Sequence, residues 1–421
     1  MNIQAPKGTK DVVPQESGKW QHLESVIRGV AAKYGINEVR TPVIEHTELF
    51  ARGVGDTTDI VQKEMYTFTD KGGRSITLKP EGTAGVVRMY IENKLFNEAQ
   101  PIKMYYLYNP IFRYERPQAG RLREHHQFGI EVFGSPEASV DAECISVAVE
   151  VLEKIGLKNL EVKLNSIGCP ECRPKYNAAL KAYLEAHKDS LCSTCVERLE
   201  RNPLRILDCK NDECKEICRN APHVLDWLCD DCAGHFEKLK KYLGIIGIKY
   251  SVDPMIVRGL DYYTKTVFEI VSSDIGSQSA VGGGGRYDLL VGQLGGTPTP
   301  AVGFGMGMER VLLVAQNQGV KFPEPSPFDL YVVSAGEKAY DAAYKLTSDI
   351  RGCGMKADCD HMGRSVKAQF KYAGKLNVRY VATIGDEELE TNTVRLKEMA
   401  SGIEETVSIK DVKTRIREQM R

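Results

Sequence analysis

Nine of the 12 cysteines in this chain fall between Cys169 and Cys232. Three pairs have C-x-x-C spacing: Cys169/Cys172, Cys192/Cys195 and Cys229/Cys232, with Cys209, Cys214 and Cys218 between the second and third. Two thiolates so spaced can take adjacent corners of a zinc tetrahedron. Disulfides are the competing use. The N-terminal MNIQAPKGTKDVVPQ has no apolar core of signal-peptide length, and no run approaches the about 18 apolar residues of a membrane span. The expected compartment is therefore the reducing cytoplasm, with no membrane attachment, where a local cysteine cluster points to metal before disulfides. Four ligands per closed site give two structural Zn2+ sites and one spare cysteine. The favoured division takes Cys169, Cys172, Cys192 and Cys195 for one site. Cys229 and Cys232, with two of the middle three, make the other, though interleaved pairings use the same residues. The stretch has few large apolar residues, so metal would supply folding energy that a thin core lacks.

The cluster also divides the chain. At 421 residues, about 150 per domain gives two or three domains. A Cys-rich, mostly helical insertion is expected over 166–243, interrupting an α+β body of 1–165 and 244–320. Lys321-Phe322-Pro323-Glu324-Pro325-Ser326-Pro327 reads as a semi-rigid linker at 321–327, because proline fixes φ and removes donors. Beyond it, strand-like 329–333, helical 337–351 and 364–375, and strand-like 378–384 suggest a small α/β domain at 328–421 with a parallel or mixed sheet. The 56 Lys+Arg against 57 Asp+Glu leave a net charge of −1, so nucleic-acid binding needs local patches rather than a bulk basic field.

Segments 103–114 and 125–133, rich in Tyr, Phe and Ile, read as an antiparallel hairpin with Pro117 and Gly120 in its loop. Side chains alternate across a strand. His126, Phe128, Ile130 and Val132 share one face, and Gln127, Gly129 and Glu131 share the other. A polar face is ordinary on a sheet wetted on one side; the alternative is a pocket floor. There Arg113 would clamp an anion, and Gln127 and Glu131 would grip a cationic ligand. The loop Arg116–Arg123 adds three arginines and no acid, which suits phosphates or a nucleic-acid end.

Gly282-Gly283-Gly284-Gly285 reads as a permissive loop that lets a ligand or backbone come close. Gly303-Phe304-Gly305-Met306-Gly307 precedes a helical run, but its third glycine is one place early for a dinucleotide fingerprint. Such a strand still suits a nucleotide. Adenine can lie flat on glycine backbone, and Arg310 near the helix start can meet phosphate.

Together these segments resemble the three motifs of class II aminoacyl-tRNA synthetases, and in detail the histidyl-tRNA synthetase family. Tyr34-Gly35 through Arg40-Thr41-Pro42 resembles the first motif, Phe112–Gln118 with Gly120-Arg121 and His126-Gln127-Phe128 the second, and Gly303–Arg310 the third. Arg258-Gly259-Leu260-Asp261-Tyr262-Tyr263-Thr264 and Gly284-Gly285-Arg286-Tyr287-Asp288 resemble the two signatures particular to the histidine enzymes. The resemblance implies a class II antiparallel-sheet catalytic domain, a C-terminal α/β anticodon-binding domain and a homodimer. It implies activation of L-histidine with ATP and Mg2+, then transfer to tRNA(His). Glu81, Thr83, Gln127 and Glu131 would bind histidine, with Tyr262, Tyr263 and Tyr287 around its imidazole. Arg113 and Arg258 would be catalytic, Arg258 beside the α-phosphate, while Arg113, Arg121, Gly305 and Arg310 would hold ATP. Gln118, Arg121 and Arg123 would meet the acceptor end of the tRNA. In the tail, Arg364, Lys367, Lys371 and Lys375 at helical spacing form a basic stripe beside Phe370 and Tyr372, a candidate for RNA backbone.

Two other readings compete. One is a catalytically inactive paralogue serving as histidine-sensing regulatory subunit of ATP phosphoribosyltransferase. Such paralogues generally lack the anticodon domain and the arginine of the first histidine signature, and this chain has both. The other is a metal-dependent nucleic-acid module, which leaves the ordered pocket motifs unexplained.

Overall fold

The computed structural model describes residues 3–55, 58–275 and 280–419. They form two compact units, Met1–Pro323 and Glu324–Arg421. The first is built on an eight-stranded sheet ordered Asn37–Glu38, Ile102–Phe112, Glu124–Phe133, Ala301–Gly307, Ala280–Arg286, Thr264–Ser272, Leu160–Ser166 and Tyr250–Val252. The inner strands pair antiparallel, and the short edge strands are parallel to their neighbours. Glu124–Phe133 sits between Ile102–Phe112 and Ala301–Gly307.

Strand parity separates core from pocket. Phe128, Ile130 and Val132 pack into a core with Leu23, Ile27, Ile145, Leu152, Leu239 and Val314 from the covering helices. A one-residue slip would turn these three outward, at about 1.5–3 kcal/mol each. Gln127, Gly129 and Glu131 are thereby fixed on the opposite face.

Gly282–Gly285 is not a loop but the middle of the strand Ala280–Arg286. The glycines serve close packing rather than a turn. A Cβ on Gly284 would lie 2.0 Å from the Gly303 carbonyl oxygen, and one on Gly285 would lie 2.3 Å from that of Thr266.

Between Ser166 and Tyr250 the chain forms the helices Arg173–Glu185, Ser193–Arg201, Asp212–Arg219 and Asp230–Ile245. The expectation of a thin core is corrected here. Tyr176, Leu180, Leu184, Leu199, Ile206 and Val224 bury one another around Cys195, Cys214 and Cys218. The last helix belongs elsewhere, since Phe236, Leu239 and Leu243 join the core beneath the large sheet.

The second unit has a five-stranded mixed sheet, ordered Ala357–Cys359, Leu330–Ser334, Tyr380–Ile384, Thr393–Glu398 and Glu404–Ser408. Leu330 and Val332 face a core with Ala343 and Leu346 of Glu337–Gly352, while Tyr331 and Val333 face Ala373 of Val366–Lys375. The basic stripe is shorter than expected. Arg364 precedes the helix Val366–Lys375. Its guanidinium pairs with Asp360 at 2.7 Å and stacks 4.4 Å from the Tyr372 ring centre. Phe370 and Tyr372 pack on the core beside Tyr331, which leaves Lys367, Lys371 and Lys375 exposed.

Candidate active site and metal centres

The functional side chains converge on the open face of the large sheet. Glu81 precedes the helix Thr83–Glu92, and its carboxylate accepts the Thr83 and Ala84 amides at 2.8 and 2.7 Å. Glu131 lies fully buried on Glu124–Phe133. It accepts the Thr83 hydroxyl at 2.7 Å, the Tyr106 hydroxyl at 3.4 Å and the Tyr287 hydroxyl. Tyr262 donates to Glu81 at 3.4 Å, and the Tyr262 ring centre lies 4.7 Å from that of Tyr263 and 5.6 Å from that of Tyr287. Burial pushes Glu81 above the usual carboxylate range and Glu131 up to about 8. Tyr287 is carried by Arg286, which is fully buried and paired with Asp141 at 2.7 Å. The same guanidinium donates to the Ser135 and Glu137 carbonyls, so the strand end cannot shift alone.

Beside this acidic, phenolic cluster opens a cavity of about 450 Å³ lined by Arg113, Arg121, His125, Gln127, Arg258, Gly305 and Arg310. Arg113 donates its Nε to the Pro80 carbonyl at 2.7 Å. Arg310 is anchored to the Gly120 and Ala280 carbonyls at 3.0 and 2.6 Å. Arg258 pairs with Glu269 and is hydrogen-bonded to Tyr263, while its buried Nε has no protein partner among the described residues. Burial, with Arg113 and Arg310 nearby, depresses His125 to about 3, so its imidazole is neutral among the arginines. Glycines make the room: a Cβ on Gly303 would lie 2.0 Å from Glu131 Oε2, and one on Gly305 would lie 2.2 Å from Gln127 Nε2.

The structure thus gathers Glu81, Thr83, Arg113, Gln127, Glu131, Arg258, Tyr262, Tyr263, Tyr287, Gly305 and Arg310. The hairpin loop is tighter than a free basic arm. Gln118 and Arg121 bond each other's backbone at 3.0 and 2.9 Å, leaving Gln118 exposed at the tip. Arg121 pairs with Glu115, and Arg123 lies 4.1 Å over the Tyr114 ring. Sequence reasoning missed Tyr106, His125, Asp208 and Lys210, the last two reaching the cavity from the insertion. Tyr106 had an indirect signal. Gly82 and Gly129 both lie where a Cβ would meet its ring, at 2.5 and 2.2 Å.

The cysteines form two groups of four whose sulfurs lie within 4.8 Å of one another: Cys169, Cys172, Cys229 and Cys232, and Cys192, Cys195, Cys209 and Cys214. The favoured division is corrected. Its first C-x-x-C pair joins the third, because the chain leaves the sheet and returns to it there. Its second pair joins Cys209 and Cys214 inside the insertion. Cys218 is the spare, pointing its thiol to the Ile206 carbonyl at 3.5 Å. The sulfur separations are 3.7, 3.6 and 3.8 Å in the first group (Cys169–Cys229, Cys169–Cys172 and Cys172–Cys232) and 3.8 Å for Cys192–Cys209 in the second. Zn–S bonds of about 2.3 Å place tetrahedral sulfurs about 3.8 Å apart, whereas a disulfide needs about 2.05 Å. The donor sets therefore fit a tetrathiolate metal ion.

A family model described as Histidyl-tRNA synthetase matches residues 8–311, and one described as Anticodon binding domain matches 329–419. The chain belongs to the histidyl-tRNA synthetase family. Within the family, it is 57% identical over 412 residues to a histidine–tRNA ligase of Clostridium novyi, covering 98% of each chain. It is 56% identical over 417 residues to one of Clostridium botulinum strain Loch Maree, covering 99% of each. Among solved structures, the apo histidyl-tRNA synthetase of S. aureus superposes with a TM-score of 0.84 at 38% identity, over 99% of this chain and 100% of that one. A Bacillus halodurans structure titled as an ATP phosphoribosyltransferase regulatory subunit/histidyl-tRNA synthetase shares the fold, with a TM-score of 0.65 at 21% identity, over 91% of this chain and 99% of that one. Among the described residues, no helix is long and apolar enough to cross a membrane.

Proposed function

We propose that this chain works as a histidine–tRNA ligase and that the paired acidic cluster and arginine-lined cavity are its activation site. The observation that carries the reading is the site's polarity. Buried carboxylates and phenols stand at one end and arginines at the other, matching an amino acid's cationic ammonium and a nucleotide's phosphates. The regulatory alternative is disfavoured, since the chain has both Arg258 and a tail of the anticodon-binding family.

Glu81, Thr83, Gln127 and Glu131 take the histidine ammonium, and Tyr262, Tyr263 and Tyr287 enclose the imidazole. Arg113, Arg121 and Arg310 hold the triphosphate, and the backbone of Gly305 offers a surface for the adenine. A histidine carboxylate oxygen attacks the α-phosphorus, and pyrophosphate leaves. Arg258 stabilises the charge that builds on the α-phosphate, and its orphaned Nε is the donor suited to a phosphate or carboxylate oxygen. A hydroxyl of the terminal ribose of the tRNA then attacks the histidyl carbonyl and AMP departs. Gln118, Arg121 and Arg123 meet the acceptor end of the tRNA, while Lys367 and Lys371, with Arg364, meet RNA backbone phosphates. Glu115 and Glu269 are hard oxygen donors on the cavity wall and would hold the Mg2+ that neutralises the outer phosphates. The two tetrathiolate groups hold structural Zn2+, and the free thiols suit the cytoplasm. A second copy covers the first motif and the three-stranded sheet that follows it, where Ile44 and Phe68 stay 48% and 46% exposed; sedimentation at twice 46.9 kDa checks the dimer.

Histidine-dependent exchange of labelled pyrophosphate into ATP tests the activity. Wild type should exchange with histidine alone among amino acids, and Arg258→Ala should lower the rate by about 10²–10³-fold. No exchange with histidine would end the reading.

A further inference from the structure

Besides Arg173, which donates to the Tyr263 carbonyl, the insertion reaches the activation site through a short segment. Between Cys195 and Cys209, Arg198 pairs with Asp59 at 2.8 Å, the Asn202 amide donates to Asp261 at 3.1 Å, and Arg205 donates to the Arg258 carbonyl at 2.9 Å. Val257, the residue before Arg258, packs against the insertion's core. At the end of that segment the chain turns, with the Cys209 amide bonded to the Ile206 carbonyl at 3.0 Å. Ile206 and Leu207 are buried in the insertion, while Asp208 and Lys210 are exposed and line the cavity with Arg113, Arg121 and Arg258. Cys209, between those two, points instead into the sulfur group with Cys192, Cys195 and Cys214. Cys214 is itself fixed: its amide and that of Glu213 are capped by Asn211 at 3.2 and 3.0 Å.

We propose that Zn2+ held by Cys192, Cys195, Cys209 and Cys214 is a positioning device for the nucleotide cavity, setting Lys210 against the ATP phosphates and bracing the backbone under Arg258. The inference rests on the reading of this group as a metal site. It assigns Lys210 as a phosphate-binding residue contributed by the insertion. An ammonium on a flexible stem binds phosphate as a point charge, so its use depends on where its backbone is held. Without the metal, one loosened turn moves Lys210 away and releases the strut from Arg205 to Arg258.

The test uses the full-length chain, with metal counted by elemental analysis and ATP KM measured in histidine-dependent pyrophosphate exchange. Wild type should carry two zinc ions. Lys210→Ala should keep both and raise the KM for ATP on the order of tenfold, as loss of one charged contact does, and Lys210→Arg should recover most of it. Cys209→Ser should lose one ion, raise the same KM and lower kcat as well. The double variant should be no worse in ATP KM than Cys209→Ser alone, because Lys210 is already displaced there. Cys218→Ala should keep both ions and the wild-type KM. Should Cys209→Ser not fold, chelation of wild type followed by zinc return gives the same readout. An active wild type without zinc would overturn the proposal while leaving the ligase reading intact. So would Cys209→Ser that loses its ion yet keeps ATP KM within twofold, or single effects that multiply in the double variant.

Discussion

Glu131 is a carboxyl group with no exposure to water, surrounded by hydroxyl donors and by the like charge of Glu81. Burial lifts it to about 8 from an ordinary 4.5. Between those values the folded chain holds a proton that the unfolded chain has released. Its contribution to stability is therefore fully present below the unfolded value and is lost as pH rises through the folded one. At pH 7.5 the empty site is largely protonated here. A histidine ammonium brought alongside favours the carboxylate and should expel that proton. Titration calorimetry of histidine binding in buffers of different ionisation enthalpy should show proton release at pH 7.5, fading above pH 9. Release that is absent at pH 7.5, or unchanged at pH 9, would count against Glu131 as the ammonium's partner. The placement of Glu131 and Gln127 on one face was readable from strand parity. Tyr106 was not, because its role depends on a neighbouring strand's register, pairing it with Gly129, and register is set by the assembled sheet.

At the scale of elements, the two glycine-bearing strands Ala280–Arg286 and Ala301–Gly307 do different work at neighbouring positions. A Cβ on Gly284 would meet the Gly303 carbonyl oxygen at 2.0 Å and the Phe304 Cα at 2.6 Å, both backbone. The nearest atoms to a Cβ on Gly305 belong to the end of the Gln127 side chain, at 2.2 Å. Gly284→Ala should therefore force strands apart and destabilise the fold by about 1–3 kcal/mol or more, read as a lower melting temperature. Gly305→Ala should melt near wild type while raising the KM for histidine or ATP, because Gln127 must swing into the cavity. Equal losses of stability in the two variants would contradict this division. The sequence marks these glycines as special but cannot tell a loop from a strand, since glycine permits both. The paired sulfur groups were illegible for a similar reason. C-x-x-C spacing specifies which cysteines sit side by side, while the partner pair depends on where the insertion's ends return to the sheet.

The whole molecule is two units, and each buries its own core. That of the tail runs from Leu330 to Ile416, with helices on both faces of a five-stranded sheet. The proline-rich stretch and the change to alternating strands and helices made this division readable, because a switch in periodicity is local information. Every residue assigned to histidine, ATP and the metal ions lies before Pro323, whereas the exposed lysines of Val366–Lys375 lie in the tail. Histidine activation and anticodon-side tRNA recognition should then separate physically. A chain ending at Pro323 should retain pyrophosphate exchange within a few-fold of full length, since its core and cavity are complete. It should aminoacylate tRNA far more slowly, through a raised KM for tRNA. Charge reversal at Lys367 and Lys371 in the full chain should weaken tRNA binding with a reduced dependence on salt, as expected when phosphate contacts are lost, and leave exchange unchanged. A truncated chain that folds by circular dichroism yet has lost exchange in proportion to charging would mean that the tail completes the activation site, and the two units would then have to be read as one machine.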